Sequence, residues 1–403
     1  MLYIRNLLIT AFTIFSLVGI TNWLVDPFGM YWSPTLNGIN EIKPEAGNRS
    51  RIIKAYRAIE VSPDILIVGN SRVEMGLNPD LPHFATSTVY NQGMPGAKLH
   101  MQIDYAKDLI NQTPHIKEVI MSIDFLDFLI GPDELANQRI IDEIPQEYDE
   151  HILSKNSSTT AYVAAQLATY YKLLFSLDAL QASVITLINQ NDLSSTITPK
   201  GFNTANSYKK IIKYEGYEPL FGQKLDWLQN RLSSRQWILF PDPGSFHSPK
   251  FAQLHSLITL CKEKDISFKI FINPYHFSYL HALKQAGYWE KFLQWKYALV
   301  EFFKQEQLSH ISLWDFSLIN ARTTEKIGEK EDLQWFWEPA HYKRSYGDTI
   351  IELLAGNKAS TDYGVILNEK NINVLVERQD EKLKNTIEQW GQLRERLKLS
   401  KTL

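Results

Sequence analysis

Asp64-Ile65-Leu66-Ile67-Val68-Gly69-Asn70-Ser71-Arg72 is a short apolar run that ends in a tight polar turn. Ile65 to Val68 is unbroken and rich in β-branched residues, the pattern of a strand buried on both faces of a parallel sheet. Gly69 permits a sharp turn, and Asn70 tolerates unusual backbone angles. This arrangement presents the Ser71 hydroxyl at the carboxyl end of a central strand, where open α/β sheets bind their ligands. Far downstream, Glu338-Pro339-Ala340-His341 sets an acid and a histidine three residues apart.

Working outward from Ser71, strands and helices alternate. Val89-Tyr90-Asn91 reads as a second strand, closed by Gln92-Gly93-Met94-Pro95-Gly96, and a helix is predicted over His100 to Ile110. Lys117 to Ile123 reads as a third strand that stops at Asp124. This cadence implies a parallel sheet wrapped by helices. It lapses at about 130–245, where Ala161 to Leu187 reads as one long apolar helical stretch. That segment is expected to be an insertion, and a lid is one role for it. The cadence resumes with a helix over Lys250 to Glu263 and a strand, Phe268 to Ile272, that runs into Asn273-Pro274-Tyr275-His276. A helix at about Tyr288 to Gln305 and a last strand at His310 to Asp315 follow. From 361 to 403 the chain is polar and charged, with Glu/Lys pairs at helical spacing.

Composition narrows the function. The net charge of −3 argues against non-specific nucleic-acid binding. A single cysteine, Cys261, excludes an internal disulfide, and no zinc-like Cys/His spacing occurs. Residues 7–25 are almost uninterruptedly apolar, close to the ~20 residues that cross a bilayer. Arg5 before the run and Asp26 after it favour a cytoplasmic N-terminus and an extracytoplasmic body. A cleaved signal peptide would have a shorter apolar core and a small-x-small site; a buried core helix is the third reading. The expected organisation is a 1–25 transmembrane anchor, a 26–60 linker with a leading helix, a 61–360 α/β domain and a 361–403 helical tail.

Serine hydrolysis needs a nucleophile, a base and an acid that orients the base. Ser71, His341 and Glu338 supply those groups. Ser71 N–H and Gly93 N–H, both in turns just past strand ends, are candidate oxyanion donors. On these residues the chain resembles the SGNH/GDSL hydrolase superfamily. It is most similar to the membrane-anchored, cell-envelope branch found in polysaccharide O-acetylation and teichoic-acid alanylation systems. Gly69-Asn70-Ser71-Arg72 matches the first block, Asn91-Gln92-Gly93-Met94-Pro95-Gly96 the second, and Glu338-Pro339-Ala340-His341-Tyr342 the last. The resemblance covers roughly residues 50 to 360 outside the insertion. It implies a flavodoxin-like three-layer fold and a Ser71–His341–Glu338 triad acting on acyl esters of cell-envelope glycans. It implies neither a metal nor an organic cofactor. The partners it implies are a glycan or acyl donor, the bilayer through residues 7–25, and a membrane acyltransferase.

Two departures from that pattern matter. The third block normally carries an asparagine whose amide donates to the oxyanion, and here the strand ends Ser122-Ile123-Asp124-Phe125. An ionised Asp124 repels an oxyanion, so pairing with Arg72 is expected instead. Glu338 stands where aspartate is usual. Asn273 and His276 follow a strand end and are expected to line the pocket beside Asn91, Gly93 and Arg72. The bland readings are a turn serine, a capping histidine and a helix-start carboxylate. A non-catalytic envelope component that kept the fold for glycan binding or assembly is the rival function, and Asp124 is the residue that favours it.

Overall fold

In the computed structural model of this protein, Ile65–Val68 is a strand whose Leu66, Ile67 and Val68 are buried. The structure describes residues 1–136, 146, 148–192, 194–242, 246, 248–306, 308, 311–328, 332–356 and 361–399. The described strands are β1 (Ile65–Val68), β2 (Val89–Asn91), β3 (Glu118–Ile123), β4 (Ser267–Ile272), β5 (Leu313–Asp315), β6 (Phe336–Glu338), β7 (His341–Tyr342) and β8 (Val365–Leu367). His310, where the last parallel strand was expected to begin, lies outside the described residues.

Six strands form one sheet in the order β2-β1-β3-β4-β5-β8. β2, β1, β3, β4 and β5 are parallel, and β8 closes the edge antiparallel to β5. The protein is therefore a mixed α/β chain with a mostly parallel central sheet. Strand order reverses between β1 and β3, so the loops after them diverge and open a crevice. Ser71 follows β1 and Asp124 follows β3, which puts both at that crevice. β6 and β7 form a separate antiparallel pair.

The chain divides into two compact units, one of Met1–Ser62, Asp108–Pro114 and Pro145–Ser207, the other of Pro63–Lys107, His115–Ile144 and Tyr208–Leu403. The expected insertion is thus shared between them, because spatial packing does not follow chain order. The second unit holds both sheets. Its core joins Ile67 and Ile120 of the sheet to Val73, Phe336, Tyr342 and Tyr346. The tail is helical, over Ile372–Asn385 and Ile387–Arg396. It is tied in by Gln379, whose Oε1 accepts from the buried Lys296 Nζ, itself 2.7 Å from Asp315, and whose amide donates to Ser317 O.

The first unit contains the one described helix long and apolar enough by itself to cross a membrane, Leu2–Val25. Beyond Arg5 and Asn6 its outward residues are mostly apolar, with Thr10 and Thr13 the exposed polar exceptions. It does not stand clear of other elements but packs along two helices, Thr159–Phe175 and Leu177–Ile188. These replace the single long helix predicted there. Ser176 breaks the run because its hydroxyl accepts the Ala179 N–H and caps the second helix.

A buried ion pair closes the carboxyl end of Leu2–Val25. Asp26 takes a left-handed conformation (φ 48°), and its carboxylate accepts the Met30 and Tyr31 N–H groups. Lys43 Nζ lies 3.1 Å from Asp26 Oδ2 and donates to the carbonyls of Val25 and Asp26. The ammonium thus satisfies carbonyls that the helix end leaves open and opposes the negative end of its dipole. Burial pushes Asp26 up and Lys43 down, each against the pull of its partner. Removing one partner of such a pair strands a buried charge. Lys43→Met is therefore expected to cost about 3–5 kcal/mol, and Asp26→Asn/Lys43→Met distinctly less. Thermal unfolding of the detergent-solubilised chain checks this; a double variant no more stable than Lys43→Met contradicts it.

Candidate active site

The turn after β1 is built by close packing. A Cβ on Gly69 would lie 2.5 Å from Ser122 Oγ and 2.6 Å from Val73 Cγ2, so only glycine fits without displacing a neighbour. Asn70 remains extended and caps the helix Ser71–Gly76, its Oδ1 accepting the Arg72 N–H at 3.0 Å. Ser71 is the first residue of that helix and is half-buried.

The acid and the base share the β6–β7 pair, where Glu338 and His341 are register partners. Pro339-Ala340 forms the turn, and Ala340 N–H donates back to Glu338 Oε2 at 3.1 Å. His341 Nδ1 is hydrogen-bonded to Glu338 Oε1, and His341 Nε2 lies 2.7 Å from Ser71 Oγ. A carboxylate can only accept, so Nδ1 carries the proton and Nε2 accepts from the Ser71 hydroxyl. Glu338 is fully buried. Burial pushes its carboxyl up, but the attraction of the adjoining imidazole and the bonds from His341 and Ala340 outweigh this and hold it below its ordinary value. The acid therefore remains ionised and fixes the imidazole tautomer.

One clamp sets the spacing of Ser71 and His341. A Cβ on Gly76 would lie 2.0 Å from the Tyr342 ring, and one on Gly347 would lie 1.8 Å from Gly76 O. Tyr342, adjacent to His341, is thus in close contact with the end of the serine helix. Asn273 and His276, expected in the pocket, are instead fully buried supports of this hairpin. Asn273 Oδ1 accepts the Tyr342 hydroxyl at 3.4 Å, and His276 N–H donates to Pro339 O at 3.0 Å. Burial pushes the His276 imidazole down to about 4, so it is neutral and takes no part as a base. Polar side chains just past a strand end satisfy local backbone groups as readily as they face a ligand.

The second-block residues also turn inward. Asn91 is fully buried, and its amide donates to Val73 O and Leu77 O. Its Oδ1 accepts the Gly93 N–H at 2.8 Å. The donor expected to face the oxyanion is thus engaged by Asn91. Gly93 is needed here for contact, since a Cβ would lie 2.7 Å from Glu74 N.

Arg72 and Asp124 pair, Nη1 to Oδ2, at 2.5 Å. The guanidinium lies 5.4 and 5.8 Å from the ring centres of Tyr275 and Tyr279, which stack on each other. Asp124 also accepts from Leu126 N–H and from the Tyr275 hydroxyl. Three donors thus engage the carboxylate. Sequence reasoning missed Asp127, although Asp124-Phe125-Leu126-Asp127 returns a second acid one helical turn on. Asp127 Oδ2 accepts from the Gln102 amide at 3.0 Å. Burial, followed by the Asp124 charge, pushes Asp127 up to about 7.

These groups border a cavity of about 670 Å³, within the size range of small-molecule sites. Its far wall was also unforeseen. Trp227, Arg231, Arg235 and Trp237 interleave, with Arg231 5.4 Å from the Trp227 ring and Arg235 5.0 Å from the Trp237 ring. Lys98 and Lys224 add further positive charge. Tyr208 lies 5.8 Å from the His341 ring. The repeat of Trp and Arg between 227 and 237 was the sequence signal for this wall. Among the described residues no cluster of His, Cys, Asp and Glu could hold a metal ion.

Comparison with known protein families and with curated proteins finds no match to this chain. The geometry therefore carries the functional argument.

Asp127 gives a pH test of the site's electrostatics. Its ordinary carboxyl value is 3.8 and its folded value is about 7. Between these the folded state holds more protons than the unfolded state, so this residue's contribution to stability falls as pH rises. Asp127→Asn keeps an acceptor for Gln102 and removes the titration. Its stability relative to wild type should climb from about pH 4 to about pH 7 and then level off. Denaturant unfolding across that range checks this; a pH-independent difference contradicts it.

Proposed function

We propose that this chain is a membrane-anchored serine esterase or O-acyltransferase of the SGNH-like, flavodoxin-like type, acting on acyl esters of cell-envelope glycans in an extracytoplasmic compartment. The single observation that supports this best is the unbroken relay from Ser71 Oγ through His341 to the buried Glu338, opening on a cavity. The strand order 2-1-3-4-5, with the serine after β1 and the histidine after the last parallel strand, supports the family reading.

In this mechanism Ser71 Oγ attacks the acyl carbonyl as its proton passes to His341 Nε2. Glu338 stabilises the imidazolium without taking the proton. His341 then protonates the departing alcohol oxygen as the C–O bond breaks, leaving an acyl-serine. Water or a sugar hydroxyl, deprotonated by His341, attacks that ester and restores the serine. The Arg/Trp wall suits a glycan with anionic groups: the guanidinium planes bind carboxylate or phosphate, and indole faces stack on sugar rings.

A second reading has a specific observation behind it. Of the three oxyanion donors used by the superfamily, Gly93 N–H is engaged by Asn91 and an acid occupies the third position. Ser71 N–H is the remaining donor. Loss of each donor costs about 10²–10³ in rate and two of the three are missing, so the enzyme is slow on generic esters. If no donor serves, the chain is a glycan-binding envelope component.

A fluorophosphonate probe separates the two readings. The wild type is expected to label at Ser71, Ser71→Ala not at all, and Glu338→Gln far more slowly. A folded wild type that never labels supports the non-catalytic reading. Asp124→Asn is expected to leave labelling unchanged or raise it, since the acid's partners are structural.

A further inference from the structure

We propose that the helices Thr159–Phe175 and Leu177–Ile188 are embedded in the lipid acyl layer beside the anchor, so that this unit meets the bilayer with three helices rather than one. This rests on the reading of Leu2–Val25 as a membrane anchor. The outward face of a water-facing helix is polar, as in Ile372–Asn385, where Glu377, Arg378, Glu381 and Lys384 point outward. Thr159–Phe175 has the opposite pattern. Its exposed residues include Val163, Ala164, Leu167, Ala168 and Tyr171, a continuous apolar stripe at helical spacing. On the second helix Leu177, Val184, Leu187 and Ile188 are exposed, with Leu177 81% exposed, and Asp178 and Gln181 are the exposed polar residues among them.

The depth of these helices follows from their contacts with the anchor. Phe175 stacks on Phe15 with ring centres 4.2 Å apart, and its ring fills the space that a Cβ on Gly19 would occupy. Leu174 and Ser183 meet Asn22. Phe15 and Asn22 precede Val25 by ten and three residues, or about 15 and about 5 Å along the helix. The break between the two helices therefore lies beside a segment that hydrocarbon surrounds if the anchor spans.

Backbone in that layer must be satisfied within the protein, and the break meets this demand. Asn22 Nδ2 donates to Leu174 O at 2.7 Å, Ser183 Oγ donates to Asn22 Oδ1 at 2.8 Å, and Ser176 N–H bonds to Lys172 O. Asn22 is a fully buried polar residue in an otherwise apolar helix. Its two bonds both go to the bent pair, whose axes meet at 53°. Lys172 and Asp178 flank the break. Asp178 is paired with Arg49 at 3.4 Å, and the long Lys172 stem lets its ammonium reach the headgroups.

Site-directed spin labels on the full chain in phosphatidylcholine/phosphatidylglycerol vesicles test this. Cys261 is buried, which leaves an introduced cysteine as the reactive one. Labels at Phe12, Leu167, Leu177 and Ile188 are compared with one at Lys384. Oxygen concentrates in acyl chains and a neutral nickel chelate in water, so their collision rates report the surroundings. The expected result is high oxygen and low nickel access at Leu167 and Leu177, matching Phe12, and the reverse at Lys384. High nickel access at Leu177 with Phe12 in lipid overturns the proposal and leaves the anchor intact. High nickel access at Phe12 as well overturns both. Low access to both reagents at Leu177 means that a protein partner or a second copy covers the stripe, which also overturns it. Gly19→Leu, which displaces the Phe175 ring, should raise nickel access at Leu177 while Phe12 stays in lipid.

Discussion

A carboxylate with no exposed surface remains charged only where donors or a cation surround it, and the site is organised around meeting that demand for Glu338. His341 Nδ1 and Ala340 N–H both bond to it, and their pull outweighs the cost of burial. The Glu338–His341 bond in turn points Nε2 at Ser71. The geometry is held by contacts outside the relay: Tyr342 on Gly76, Gly347 on the Gly76 carbonyl, and the Pro339 carbonyl on His276 N–H. Substituting either glycine moves a ring or a backbone before it touches the reacting atoms.

The same accounting explains Asp124. An acid at the end of β3 would oppose an oxyanion if it faced one. Arg72, Tyr275 and Leu126 N–H bind its oxygens instead, and the tyrosine pair holds the guanidinium beside it. Burial and the Asp124 charge outweigh the pull of Arg72 and Arg231 on Asp127, which keeps its proton to about pH 7.

Much of this was legible from residue order. β1, β3 and β4 are apolar runs long enough to identify, and the Glu338-x-x-His341 spacing carries its own chemistry. Other features depend on direction, which residue order does not encode. Asn91 lies two residues before Gly93, close enough for its side chain to bond the Gly93 N–H, and nothing in the sequence says whether it does. Asn273 and His276 follow a strand end as a ligand-binding residue would, yet serve the hairpin. β6 and β7 are too short for periodicity to register. The partition of 146–207 with the N-terminal residues arises from contacts distant in sequence. The break at Ser176 was the most readable of the misses, since a serine before Leu177-Asp178-Ala179 is a capping signal.

In the proposed reaction Ser71 carries an acyl group in transit. Mass spectrometry of the protein quenched in acid within its first turnover of an activated acetyl ester tests it most directly. The expected result is an acetyl adduct on the peptide containing Ser71, absent from Ser71→Ala and His341→Ala. Turnover of the ester with that peptide unmodified, or an adduct that persists in folded Ser71→Ala, would contradict it.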